Sequence, residues 1–499
     1  MLYAIIVVYF CVLLLLGVLA SRRVDSLSDY YLGGKRLGYW VAAFSARATG
    51  ESAWLYLGLT GLGASVGLSA LWVVVGEVLG VGAAWFLMAA PFKHATDRCG
   101  AITVPDYLVS RFASGDPSSD TTQRLRLVAA GALTLFVTIY VSAQIDATGQ
   151  AFASFLDWNY FTGALVGFGI VVVYTFTGGF LAVAWSDLFQ GLLMLVGLIL
   201  LPLAAFAALE PGGLIAGLDA TLLNPWGPGG ATLPNLLTIV SYAAIGIGFL
   251  GSPQVFVRFM AIRDQTQIRT GRWVAIGFTL ATDIGAVLSG LLGRALLVGA
   301  DGDFAVTLGP SGERVLPVLV EHLFPPVVVG LFVAAVLAAI MSTIDSLLVV
   351  ASSAVTRDVY QQTLHPDISG ETLTGLSRRV TVTLALVALA VALSVAWLAP
   401  GRTIFWYVIF GWSGIAATFC PVIVLSLVWR RYNAQGALAS MITGLVAVPF
   451  FKFLLPLAPG WGPLVARAEE LAPSFLAALA AGVVATLASS RRGTEGSRR

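Results

Sequence analysis

Apolar runs, each about the twenty residues that a helix needs to cross a bilayer, recur along the whole chain, separated by short polar or glycine- and proline-rich intervals. They predict helical spans over 2–20, 38–62, 65–92, 127–153, 161–177, 188–208, 234–257, 273–298, 326–355, 380–398, 403–429, 435–455 and 472–489. The expected class is an all-α polytopic membrane protein with thirteen transmembrane helices, forming one domain over 1–499. Segments 209–233 and 299–325 are too polar to span and read as loops with room for short helices. Segment 356–379, with Asp367, Ser369, Gly370 and Glu371, reads as a flexible loop.

Composition agrees with lipid as the solvent: of 499 residues 58% are hydrophobic and 11% charged, a balance no solvated surface tolerates. The net charge of +2 is small and the basic residues are scattered, which argues against nucleic-acid binding. No basic residue precedes the first run, whereas Arg22 and Arg23 follow it. That suits an uncleaved first helix with its N-terminus outside, although Val18-Leu19-Ala20 loosely matches a signal cleavage site. Thirteen spans then put the C-terminus inside, along with Lys35-Arg36, Arg378-Arg379 and Arg430-Arg431. Cys11, Cys99 and Cys420 have neither disulfide nor zinc spacing and are expected in the core. His94, His322 and His365 are expected in loops, and no nucleophile has a recognisable base, so an enzyme is not expected.

Two spans carry interruptions. In the second, SARATGESAWLYLGLTG puts Ser45, Arg47, Thr49, Gly50, Glu51 and Ser52 in mid-helix; in the seventh, GIGFLGSPQ puts glycines and Pro253 there. A helix unwound at membrane depth is tolerated only where it lines a cavity. Interrupted helices at matching positions of two halves point to an inverted-repeat transporter with a midplane site, here with halves 38–208 and 234–429. Small residues for close helix packing are the alternative, most plainly for Gly246 and Gly248. The charges of Arg47 and Glu51 are harder to account for by packing, since each costs at least about 2.5 kcal/mol at mid-membrane.

The ninth span ends in LFVAAVLAAIMSTIDSLL, where Ser342, Thr343, Asp345 and Ser346 follow a purely apolar approach. Hydroxyls facing unwound carbonyls suit a hard cation such as sodium. The alternative is that Ser342 and Thr343 bond back to carbonyls one turn earlier.

At these residues the chain resembles the sodium:solute symporter family, in its bacterial sodium/proline branch. The resemblance runs nearly end to end through LSDYYLGGKRLGYW, AITVPDYLVSRF, YTFTGGFLAVAWSDLFQ, RFMA, LAAIMSTIDS and GALASMITG. It implies a LeuT-type 5+5 inverted-repeat core, with one extra helix before it (2–20) and two after it (435–455 and 472–489). It further implies a multi-pass protein of the bacterial inner membrane with sodium as the coupling ion. The sodium ligands it implies are the carbonyls of Ala48, Glu51 and Ala339 and the hydroxyls of Ser342 and Thr343. A second sodium would use Asp187, Ser342, Asp345 and Ser346, with Asp187 as a helix N-cap the alternative. Solute contact falls to Arg47, Gly50, Ser52, Tyr140, Gln144, Ile245 and Phe249.

Several of these depart from the branch: Gly50 stands for its aspartate, Arg47 for a glycine, and Ile245 and Phe249 for a Trp and a Tyr. The expected activity is sodium-driven import of a small organic solute, an amino acid such as proline, by alternating access. The alternatives are another carboxylate solute (a monocarboxylate or pantothenate), proton coupling through Glu77, Asp146 or Asp283, or a ligand sensor with a separate partner. Those acids could instead balance Arg47 and Arg294. Arg47 would pair a solute carboxylate, or Glu51 when the site is empty; a purely structural pair is the other reading. The expected partners are the solute and membrane lipid, with no obligatory protein partner.

Overall fold

The computed structural model describes residues 1–22, 27–113, 120–213, 217–299, 302–365 and 367–496. Arg23 and the last three residues of the tail, which bear on the expected topology, lie outside them. The chain is helical, and the principal helices are α1 (Leu2–Ser21), α2 (Tyr39–Ala53), α3 (Leu71–Ala83), α4 (Asp120–Leu156), α5 (Tyr160–Ala208), α6 (Leu233–Ala244), α7 (Pro253–Ala261), α8 (Gln265–Leu297), α9 (Pro326–Ser353), α10 (Gly370–Leu398), α11 (Ile404–Val428), α12 (Ala434–Pro449) and α13 (Leu471–Gly496). Local chemistry starts many of them. Asp264 accepts from the Thr266 and Gln267 amides at the head of α8, and Ser369, Thr403 and Asn433 cap α10, α11 and α12 in the same way.

Among the described residues, eleven helical runs are long and apolar enough to cross a membrane. One of them, Tyr39–Cys99, has 61 residues. At 1.5 Å per residue it would reach roughly 90 Å if straight, about three times a bilayer core. It turns instead at Gly67, where φ 64° and ψ −138° are open only to glycine. The expected spans 161–177 and 188–208 lie on the two sides of a sharp break at Gly179 (φ 58°, ψ −166°) within the run named α5. Asp187 therefore lies inside a helix and caps none.

The expected loop 356–379 is mostly helical, because α9 continues through wide turns over Ala354–Leu364 and α10 begins at Gly370. Polar side chains there follow a helix leaving the membrane, which hydropathy alone reads as a loop. Short helices occupy the other two loops, Ala220–Leu223 in the first, and Phe304–Leu308 and Val315–Leu323 in the second. His94 and His322 also prove helical. Cys11 and Cys99 are exposed and only Cys420 is buried, since an apolar residue in lipid need not face the core.

α9 and α11 are the most enclosed spans and run through the middle of the helix bundle. Against α9 pack α2, α4 and α5, and against α11 pack α4 and the broken segment between α6 and α7. That segment, Ile245–Leu250, is a tight 3₁₀ turn lying backbone to backbone on α3. A Cβ on Gly246 would stand 1.8 Å from the Gly76 carbonyl oxygen, and one on Gly80 would stand 1.9 Å from that of Gly246. Pro253 follows at the first turn of α7, where the missing amide proton costs nothing. It thus starts a helix and does not break one. A parallel bridge, Leu37 to Ile262, ties the entry of α2 to the exit of α7.

Candidate functional site

The first interruption falls at Ser52, whose φ of 45° and ψ of −166° lie in left-handed space that a residue with a Cβ enters at about 1–3 kcal/mol. Neighbours from α4 hold it there. Tyr140 and Gln144 donate to the Ser52 hydroxyl at 3.4 and 3.3 Å, and the Gln144 side-chain oxygen Oε1 accepts the Ala53 amide at 3.0 Å. Beyond it the chain widens into π-turns over Trp54–Leu59, and the Trp54 indole donates to the Gly50 carbonyl at 3.0 Å.

One turn earlier, α2 meets α9. Ser342 donates to the carbonyls of Ala48 (3.0 Å) and Ala339 (3.1 Å); Thr343 donates to those of Thr49 (3.1 Å) and Ala339 (3.2 Å). Each hydroxyl thus reaches back along its own helix and across to the broken one. Ala48, Ala339, Ser342 and Thr343 come together as expected, while the Glu51 carbonyl accepts the Trp54 amide. The Thr49 carbonyl, absent from the sequence reading, faces Thr343. The result is a buried set of five oxygens without nitrogen or sulfur, the donor chemistry a hard monovalent cation takes.

The positions expected for a second cation are crossed by a side chain that sequence reasoning passed over. Arg258 of α7 is fully buried, and its Nη2 reaches Asp187 at 3.0 Å, Thr49 at 2.8 Å and Ser346 at 2.5 Å. Its Nε donates to Ser45 at 3.0 Å and its Nη1 to the Gln254 carbonyl at 2.6 Å. Ser45 donates to the same Asp187 oxygen, and Ser346 takes its own amide bond to Asp345. The sequence signal was present in the quoted RFMA, but the expected span stopped at 257, one residue short of Arg258.

A second arginine organises the other face of α2. Arg47 Nη2 pairs with both Glu51 and Glu77, the latter at 3.0 Å. The carboxylates of Glu51, Glu77 and Asp283 offer oxygens within 4.8 Å of one another, and all three are buried. The guanidinium lies 4.5 Å over the Phe249 ring, which packs on Trp412. A Cβ at Gly50 would meet that ring at 2.7 Å, so the aspartate of the resembled branch has no room here. Ile245 joins only through its carbonyl, which accepts the Trp412 indole proton at 2.9 Å. Asp146 balances Arg402, and Arg294 donates to the Ala64 carbonyl, so neither serves Arg47.

Interrupted, buried helices that meet at ionised side chains inside an apolar bundle define a multi-pass membrane transporter. The chain belongs to the sodium:solute symporter family, whose model matches residues 30–444. It is a transporter family, and the chain is no enzyme. It is 37% identical to the high-affinity proline transporter PutP of Bacillus subtilis (strain 168), over 90% of this chain and 93% of that one. It is 34% identical to the sodium/proline symporter of Escherichia coli (strain K12), over 94% and 90%. A solved Na+-coupled sialic acid symporter, in a substrate-bound outward-open state, superimposes with a TM-score of 0.77 at 19% identity, covering 97% of both chains. At that identity the likeness establishes the fold.

Proposed function

We propose that the chain is a sodium-coupled symporter of the bacterial plasma membrane that imports an amino acid such as proline by alternating access. The observation that carries this is the ring of carbonyls at the first break, Ala48 and Thr49, facing Ser342 and Thr343 of α9. Sodium replaces the hydroxyl bonds, ties the broken helix to α9 and closes the inner side; its loss frees the gate. Glu51, with its carbonyl on Trp54, leaves the ligand set to Thr49. Arg258 already supplies positive charge between Asp187 and Ser346, which favours a single sodium. One charge crossing 100 mV supplies about 2.3 kcal/mol, worth roughly fiftyfold accumulation at about 1.4 kcal/mol per decade.

The reading includes two inverted repeats, 38–208 and 234–429, and thirteen crossings with the N-terminus outside and the C-terminus inside. Relatives named as proline transporters support the solute class. A second reading, a carboxylate such as a monocarboxylate or pantothenate, is favoured by the two nitrogens of Arg47 that have no partner. The test is uptake of labelled proline into proteoliposomes under a sodium or a choline gradient. Uptake is expected with sodium alone, and Ser342→Ala with Thr343→Ala is expected to abolish that dependence; a double variant with unchanged sodium dependence sinks the assignment.

A further inference from the structure

The Arg47 nest is left incomplete in both signs at once. Arg47 is 1% exposed, yet its Nε and Nη1 have no acceptor. Beside them Glu51 Oε2, Glu77 Oε1 and Asp283 Oδ2, one oxygen from each buried acid, have no donor. Buried polar atoms of native proteins are nearly always paired, and an unpaired charge costs more than an unpaired dipole. A shortage of positive charge alone would call for a proton or a metal ion, and either would leave the guanidinium unmatched. A metal ion would also sit against Arg47 itself. A ligand that mends both sides must bring an anionic acceptor and a cationic donor held close together.

The nest sets the spacing. Arg47 and Glu77 present opposite charges 3.0 Å apart, so the ligand's two charged groups must be near neighbours. An α-amino acid carries its carboxylate and its protonated amine on a single carbon. Phe249, whose ring lies against Gly50 and under the Arg47 guanidinium, supplies an apolar floor for a small side chain.

We propose that Glu51, Glu77 and Asp283 receive the protonated amine of the solute while Arg47 takes its carboxylate, so that the transported class is α-amino acids and excludes plain carboxylates. This rests on the symport reading of the same site and decides between its two solute classes. Glu77 and Asp283 thereby become specificity residues, contributed by helices other than the broken ones.

The test uses the purified full-length protein in detergent, scored by ligand-dependent thermal shift in sodium and in choline. The probes are L-proline and L-alanine, their amine-free counterparts cyclopentanecarboxylate and propionate, and pantothenate. Sodium alone is expected to raise the melting temperature, and at least one amino acid to raise it further. Its amine-free counterpart is expected to bind weaker by on the order of a hundredfold or more, because a site built for a donor rejects the analogue without it. Asp283→Asn is expected to shrink that ratio while keeping the shift caused by sodium alone, which shows the variant folded. An amine-free carboxylate binding as well as any amino acid overturns the inference, as does a full ratio in both Asp283→Asn and Glu77→Gln. In those cases the sodium shift survives, so the symport reading stands; its loss in the wild type would count against that reading as well.

Discussion

Two arginines are buried within a few ångströms of the first broken helix, and they are used in opposite ways. Arg258 spends all three of its nitrogens, on Ser45, Thr49, Asp187, Ser346 and the Gln254 carbonyl, and so stitches α7 to α2, α5 and α9. Arg47 spends one nitrogen on two acids and leaves two idle. Equal burial with unequal satisfaction separates a strut from the proposed solute receptor. A completed network holds elements in place, whereas an incomplete one of both signs is stable only where something else completes it.

The comparison breaks most visibly at Arg258. Arg258→Met leaves the Asp187 carboxylate buried and uncompensated, and should cost roughly 3–5 kcal/mol of stability, read as early thermal unfolding in detergent. Removing both charges, with Arg258→Met and Asp187→Leu together, should recover most of that loss. If the single variant melts like the wild type, Arg258 is no strut. A smaller effect is expected at Arg47. Arg47→Lys keeps the charge that pairs the acids but gives up the planar fork, so stability should move by less than about 1 kcal/mol while amino-acid affinity falls about tenfold or more. Loss of stability without loss of affinity would make Arg47 a strut too. The smallest effect belongs to Tyr140→Phe. It removes one long hydrogen bond to Ser52 while Gln144 keeps its own, a change of about 0.5 kcal/mol that sharpens which α4 residue holds the break. Amino-acid titrations of melting temperature measure the latter two.

Much of this was legible in one dimension. Apolar run length gave the helices, and the polar residues of SARATGES together with the glycines of GIGFLGSP marked both interruptions, because lipid punishes such residues unless they are used. The hydroxyls of Ser342 and Thr343 stood out for the same reason. What stayed hidden depends on who meets whom. Nothing near position 258 announces Asp187, and nothing near Arg47 announces that Asp283, more than two hundred residues away, stands by it. Which carbonyls of the first break face α9 depends on the turn at Ser52, which hydropathy cannot resolve. Cys11 went wrong for another reason: in lipid an apolar side chain gains nothing by turning inward.

The glycines that let α3 and the second break touch backbone to backbone have a bearing on stiffness. With no side chain between Gly76, Gly80 and Gly246, there is no rotamer to change and no gap to close, so the two segments cannot creep past each other by small adjustments. Glu77 rides on the first and Phe249 on the second. The wall and the floor of the Arg47 nest thus belong to one unit packed backbone on backbone.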